Sequence, residues 1–336
     1  MDKFELLKQC FGHDSFRDGQ ENIIDNISSG RDALCIMPTG GGKSICYQIP
    51  ALMSDGIAIV ISPLISLMKD QVTSLNQNGI RAAYINSTLT PAQQSRAIYN
   101  AMRGEYKLIY VAPERLEAPA FLNLCNSIKI SLIAVDEAHC VSQWGHDFRP
   151  SYLKIADFIS KLDNRPVISA FTATATDAVK RDILNLLGLK NPFEITTGFD
   201  RKNLFFAVKR PQNKQKELLA IVSEHKNQSG IIYCATRKNV EKVSDFLNEN
   251  GYDSLIYHAG LSNEIRSKNQ DDFINDRCNL IVATNAFGMG IDKPDVRFVV
   301  HYNMPKNLEN YYQEAGRAGR DGENSDCVLL YSPGDV

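Results

Sequence analysis

The feature that most constrains this chain is a series of short runs too apolar to alternate: DALCIM near residue 32, GIAIVIS near 56, YKLIYVA near 106, SLIAVDE near 131 and PVISAFTATAT near 166. A strand with one wet face alternates polar and apolar residues, whereas continuous apolar runs suit parallel strands covered by helices on both faces. The stretches between them read as crossover helices. One of these, LISLMKDQVTSLNQNG, ends at Gly79, where a glycine past the last turn can take the left-handed conformation that closes a helix. The pattern predicts βαβ units. Around FEITTGFDRKNLFFAVKRPQNK it breaks into polar residues, and a second series follows: SGIIYCATR, YDSLIYHAG, NLIVATNAFGMG and VRFVVHYN. The boundary is placed near Phe199, giving domains over 1–198 and 199–336, and a length of 336 residues suits about two domains. The expected fold class is α/β, each domain a mainly parallel sheet flanked by helices.

Composition serves mainly to exclude. Hydrophobic residues at 43% and charged residues at 23% rule out disordered, collagenous and coiled-coil chains. No apolar run reaches the ~18 residues of a membrane span, and MDKFELLKQCFGHD lacks the apolar centre of a signal peptide, so a soluble cytoplasmic protein is expected. With 37 Lys and Arg against 39 Asp and Glu, any site for a polyanion must be built locally. The eight cysteines include no CxxC pair, so they are read as reduced, mostly buried thiols, and no zinc site is expected. Neither a repeat of 20 to 50 residues nor a low-complexity segment is evident.

The strand DALCI runs into MPTGGGKS and then a helix, which is the setting a phosphate loop requires. After Thr39, the glycines Gly40, Gly41 and Gly42 let backbone N–H groups approach phosphate, and the following helix N-terminus adds its dipole. Lys43 can reach the β and γ phosphates and the Ser44 hydroxyl can ligate magnesium. The loop departs from GxxxxGK[ST] at its first position, where Met37 stands. In SLIAVDEAHC, Asp136 and Glu137 follow an apolar strand, where strand C-termini converge on a ligand. Asp136 is expected to hold magnesium and Glu137 to polarise the attacking water. His139 beside Cys140 has no second pair that would make a zinc site.

The set MPTGGGKS, PLISLMKDQV, APERL, DEAH, FTATA, IVATNAFGMGIDKP and QEAGRAGRDG resembles superfamily 2 helicases. FRDGQ before the first strand and CVSQWGHDFRPSY after DEAH are similar to the RecQ family of DNA helicases, and the likeness spans the whole chain. It implies two RecA-like domains with ATP and DNA bound along the cleft between them. Arg17 and Gln20 of FRDGQ would read the adenine edge, and His13 stands where relatives often pack a bulky residue on adenine. Gln313, Arg317 and Arg320 would act from the second domain, with Arg320 as the arginine finger. Asp292 would sense nucleotide across the cleft. Trp144 and Phe148 offer stacking faces for bases, Arg149 a phosphate contact and His146 a further DNA contact, all directly after the catalytic carboxylates. Other DNA contacts are expected from Ser62, Lys69, Glu114 and Arg115, then from Thr236, Arg237, Thr284 and Asn285.

The resemblance thus implies a monomeric ATP- and magnesium-dependent DNA helicase acting on single-stranded and partly duplex DNA, translocating three-prime to five-prime in recombination and repair. A DEAD-box RNA helicase and an ATP-gated DNA-binding module with little turnover are the competing readings. The aromatic stretch after DEAH opposes the first, and intact Lys43, Glu137 and Arg320 oppose the second. At the end of the sequence, Ser332 and Pro333 after DCVLLYS read as the start of a helix. The chain is therefore expected to be a fragment of a protein that continues, as many RecQ relatives do, into zinc-binding and winged-helix segments. Such a fragment is expected to bind duplex poorly and unwind weakly.

Overall fold

A computed structural model describes residues 2–145, 147–198, 200–288 and 293–335. The chain divides into two compact units, 1–199 and 200–336. In the first, the strands are β1 (Ala33–Ile36), β2 (Ile57–Ile61), β3 (Ala82–Ile85), β4 (Leu108–Val111), β5 (Ile130–Val135), β6 (Val167–Thr172) and β7 (Phe193–Thr196). They form one sheet in the order β3-β4-β2-β5-β6-β1-β7, parallel throughout among the described residues. Its helices are α1 (Lys3–Phe11), α2 (Gln20–Ser28), α3 (Lys43–Met53), α4 (Ile65–Gln77), α5 (Pro91–Met102), α6 (Pro119–Ser127), α7 (Lys154–Ser160) and α8 (Asp177–Leu186).

The local chemistry accounts for these elements. β1, β2 and β4 are buried at every position, which is why their sequences do not alternate. Their two faces feed separate cores: Ile59, Ile109 and Ile133 on one side, Ala58, Tyr110 and Leu132 on the other. α5 opens with Thr90 accepting from the Gln93 N–H, the Gln93 side chain returning to Thr90, and Pro91 in the first turn. α4 ends before Gly79, which has the left-handed backbone expected of it.

The second unit has β8 (Leu204–Lys209), β9 (Ser229–Tyr233), β10 (Ser254–Tyr257), β11 (Leu280–Ala283), β12 (Val296–His301) and β13 (Ser325–Leu330), with α9 (Lys214–Glu224), α10 (Arg237–Glu249), α11 (Asn263–Ile274) and α12 (Leu308–Ala315). The strand order is β10-β11-β9-β12-β13-β8, again parallel among the described residues. Both units are thus parallel sheets flanked by helices, the RecA-like arrangement. The stretch read as a polar interruption holds two strands, β7 and β8, each at the edge of its sheet. Edge position explains the misreading: β7 alternates between half-buried and exposed residues, and Phe205, Phe206 and Val208 of β8 stand exposed. The last residues form a short 3-10 turn, Pro333–Asp335, in which the Ser332 N–H and hydroxyl both donate to Asp335.

Candidate nucleotide and nucleic-acid sites

β1 stays paired one residue beyond its end, the Met37 N–H donating to the Thr172 carbonyl, and the chain then turns through 38–42 into α3. Gly40 and Gly42 both have φ of 77°, a conformation that costs side-chain-bearing residues. Gly42 also lacks room, since a Cβ there would run into the Gln20 amide. The Gln20 Nε2 donates to the carbonyls of Gly42 (3.1 Å) and Gly41 (3.4 Å), and its Oε1 accepts from the Arg17 N–H at 2.8 Å. The Arg17 guanidinium donates to the Gly40 carbonyl. Arg17 and Gln20 are therefore attached to the glycine loop itself. Gln20, only 2% exposed, is no solvated helix residue. Leu6 and Leu7 of α1, Ile24 of α2 and Ile49 of α3 share one small core, which fixes α2 against the helix that leaves the loop. His13 is exposed, just past the glycine that closes α1. Lys43 is the first residue of α3 and its ammonium curls back to the carbonyls of Met37 (3.3 Å) and Pro38 (3.4 Å). Thr39 and Ser44 are half-buried on the same loop and first turn.

Asp136 follows β5 and continues its pairing, donating its N–H to the Ile61 carbonyl at 2.9 Å. Its side chain is buried, and burial, then the charge of Glu137, push its pKa up to about 7 against the opposing pull of Lys43. The Glu137 N–H donates to Asp136 Oδ1 at 2.9 Å. Glu137 holds a left-handed backbone (φ 47°), a strain of about 1–3 kcal/mol that clusters at functional sites. Its Oε2 is buried without a hydrogen bond among the described residues and lies 3.3 Å from His139 Nδ1. The Thr172 hydroxyl donates to the Thr174 carbonyl (2.9 Å), so at its 2.8 Å contact with His139 Nδ1 it must accept, which places the imidazole proton on Nδ1. His139, read from sequence only as an unlikely zinc ligand, instead bridges the ends of β5 and β6. Its signal was its place in DEAH, but no spacing announces Thr172 as the partner.

These features fit a nucleotide with magnesium. The loop has glycines where a Cβ has no room, a lysine folded over it, and a buried acceptor left unsatisfied at Glu137. Among the described residues no three His, Cys, Asp or Glu side chains converge as a metal cage. Magnesium in phosphate sites takes one or two carboxylates plus substrate oxygens, which Asp136 and Ser44 could complement. All eight cysteines are free thiols, six of them buried.

The chain after DEAH is tied back to it. The Tyr152 hydroxyl, fully buried, donates to the Asp136 carbonyl at 2.8 Å, and the Arg149 N–H donates to the Cys140 carbonyl at 2.9 Å. Trp144 is 78% exposed on this loop and so is not a core residue. Phe148 is half-buried, and the Arg149 guanidinium donates to Asp147 (3.0 Å) and to the Pro63 carbonyl (2.9 Å). Pro63 adjoins Ser62, whose buried hydroxyl has no hydrogen bond among the described residues. Glu114 accepts from Ser151 at 3.0 Å, and Arg115 beside it is half-buried. Ser62, Glu114, Arg115 and Arg149 therefore gather where β2, β4 and β5 end, while Lys69 is exposed on α4. His146 lies outside the described residues.

In the second unit, Thr236 caps α10 by accepting from the Asn239 N–H, and Arg237 is the exposed first residue of that helix. Thr284 follows β11, its hydroxyl accepting weakly from the Ala286 N–H at 3.4 Å, and Asn285 beside it is exposed. Gln313 is half-buried within α12. Arg317 and Arg320 lie beyond the end of that helix. Arg317 is buried against Gly288, where a Cβ would come within 2.8 Å of its Nη2, and Arg320 is half-buried. Asp292 lies outside the described residues.

Two parallel-sheet units, one with a glycine–lysine loop beside paired carboxylates and the other with an arginine-bearing turn, define a nucleotide-driven helicase-type core. Residues 17–182 match the DEAD/DEAH box helicase family and residues 213–322 the helicase conserved C-terminal domain. The chain is 50% identical, over 98% of its length, to the ATP-dependent DNA helicase RecQ of Bacillus subtilis (strain 168), and covers 56% of that protein. It is 42% identical, again over 98%, to the probable ATP-dependent DNA helicase RecS of the same organism, covering 67% of it. The chain belongs to the RecQ family of helicases. It spans about half the length of several relatives it matches. The solved structure of the DUF1998 helicase MrfA bound to DNA matches it in fold, with a TM-score of 0.79 at 19% identity over 99% of this chain and 51% of that one. Among the described residues, no helix is long and apolar enough to cross a membrane.

Proposed function

We propose that this chain is the motor of an ATP-driven DNA helicase that moves three-prime to five-prime on single-stranded DNA. The observation that carries this reading is the exposed Trp144 on a loop hydrogen-bonded to the segment that bears Asp136 and Glu137. A base stacked on Trp144 gains about 1–3 kcal/mol, and the loop passes any resulting shift to the carboxylates through bonds that already exist. Lys43 and the glycine loop hold the phosphates, and Arg17 and Gln20 brace that loop while reading adenine. Asp136 and Ser44 would hold magnesium, whose charge would neutralise that of the phosphates. Glu137 orients the attacking water and takes up its proton, a role suited to a buried oxygen without a hydrogen-bond partner among the described residues. Gln313, Arg317 and Arg320 complete the machinery from the second unit, with Arg320 stabilising the transition state. His13 packs on adenine and Asp292 senses nucleotide. Ser62, Lys69, Arg115, Thr236, Arg237, Thr284 and Asn285 track the DNA backbone, with His146, Phe148 and Arg149 beside Trp144. The protein acts as a cytoplasmic monomer on single-stranded and partly duplex DNA in recombination and repair.

The deciding measurement is steady-state phosphate release with no nucleic acid, with single-stranded DNA and with RNA. DNA should stimulate most. Equal or greater stimulation by RNA would favour an RNA helicase, and negligible turnover in all three would leave an ATP-gated binding module.

A further inference from the structure

Ser142, two residues before Trp144, is fully buried, and each of its polar groups is engaged. Its N–H donates to the His139 carbonyl at 3.1 Å and its carbonyl accepts from the Gly145 N–H at 3.0 Å. Its hydroxyl accepts from the Trp144 N–H at 3.1 Å and donates to Asp182 Oδ2 at 2.6 Å. The last bond is short and charge-assisted, so it is the strongest of the four. Asp182 belongs to α8, whose Val179 and Ile183 pack in one core with Ala138, Cys140 and Val141 of the segment between DEAH and the tryptophan loop. Gly145 closes the turn, since a Cβ there would run into the His139 carbonyl. Trp144 therefore presents a solvent-facing ring on a backbone fixed from α8.

We infer that Ser142 and Asp182 are positioning residues: the Asp182 carboxylate, acting through the Ser142 hydroxyl, holds the Trp144 backbone in the conformation that couples DNA contact to ATP hydrolysis. Neither side chain needs to touch nucleotide or DNA. β6 ends at Thr172 and α8 follows from Asp177, so His139 anchors the loop to the end of β6 and Ser142 anchors it to the helix that comes next. Loss of the strut frees the loop while leaving the phosphate loop and both carboxylates in place.

This inference rests on the proposed DNA-driven motor for its kinetic arm, but its spectroscopic arm does not. The chain has one tryptophan, so tryptophan emission, excited at wavelengths its 13 tyrosines do not absorb, reports on this loop alone. In Asp182→Ala and Ser142→Ala, the Trp144 anisotropy measured without DNA should fall, and Asp182→Asn, whose amide oxygen still accepts from the hydroxyl, should restore it. Turnover without DNA should stay within about twofold of wild type, while the DNA-stimulated rate falls about fivefold, the worth of one hydrogen bond. The double variant should be no worse than either single, as members of one bonded pair behave. Unchanged anisotropy in both single variants, or an Asp182→Asn protein as loose as Asp182→Ala, would overturn the strut. A parallel loss of basal and stimulated turnover would make the pair merely structural. If DNA fails to stimulate even the wild type, the motor reading falls, and anisotropy alone decides for or against the strut.

Discussion

The candidate residues of the two units are held in different ways. In the first they are fastened largely to one another: Arg17 and Gln20 to the glycine loop and His139 to Thr172 across long stretches of sequence, Lys43 back onto that loop and Glu137 to Asp136 at short range. In the second they are held by other parts of the unit: Thr236 caps its helix, the Thr284 hydroxyl closes its own turn, and Arg317 is boxed in beside the distant Gly288. On the proposed roles, the fold of the first unit brings together the groups that hold nucleotide in the ground state. The second unit supplies groups mounted on its own scaffold, and among them we propose Arg320 as the one that serves the transition state. Substitutions in the first unit should then separate nucleotide binding from chemistry residue by residue, whereas loss of Arg320 in the second should touch chemistry alone.

The sharpest break of that contrast lies within the first unit. Glu137→Gln should slow hydrolysis by up to about 10⁴-fold while ATP stays bound, because the lost proton acceptor matters only in the transition state. Lys43→Ala should weaken both, since its charge serves bound phosphate in ground and transition states alike. Equal loss of nucleotide binding in the two variants, measured by equilibrium titration, would remove Glu137 from its role. In the second unit, Arg320→Ala should reduce turnover about 10³-fold with ATP affinity nearly intact. A fall of less than tenfold would shift the finger to Arg317 or elsewhere.

What was legible in the sequence follows the same contrast between local and distant. Strands covered on both faces, such as β1, β2, β5 and β9, announce themselves as unbroken apolar runs. β3, β7 and β8 went unread, and all three are edge strands with positions that stand partly in solvent, so none is an unbroken buried run. The candidate site behaves alike. Glycines, lysine and serine of 40–44 are contiguous and carry their chemistry in their order. The attachment of Gln20 to Gly42, of His139 to Thr172 and of Ser142 to Asp182 depends on which strand lies beside which, and spacing alone does not encode that.

A smaller effect tests the exposed end of the first unit's wiring. Trp144→Ala should lower the stimulation of hydrolysis by DNA about tenfold, the equivalent of a base-stacking contact near the low end of its range, and leave the basal rate alone. A matched drop in both rates would mean that the ring stabilises the loop rather than receiving DNA.

The smallest effect is on stability, and its sign is opposite to the usual gain from a salt-bridged carboxylate. Burial raises the folded-state pKa of Asp136 to about 7, above its ordinary value of 3.8. Between those values the folded state keeps the proton and the unfolded state loses it, so stability falls as pH rises through this window and the penalty is complete above about pH 7. Asp136→Asn cannot ionise, yet its amide oxygen can still accept from the Glu137 N–H. At pH 8 without nucleotide, the variant should melt about 2–4 °C above wild type, an effect near 1 kcal/mol for a unit of this size, and the gain should shrink towards pH 5. Magnesium with a non-hydrolysable ATP analogue should reverse the order at pH 8 by stabilising only the wild type, since ligand bound to the folded state adds to its stability. A variant that gains nothing at pH 8, or gains equally at pH 5, would show that Asp136 carries no ionisation penalty in the empty site. The first unit would then bind nucleotide without having stored the cost of its charge.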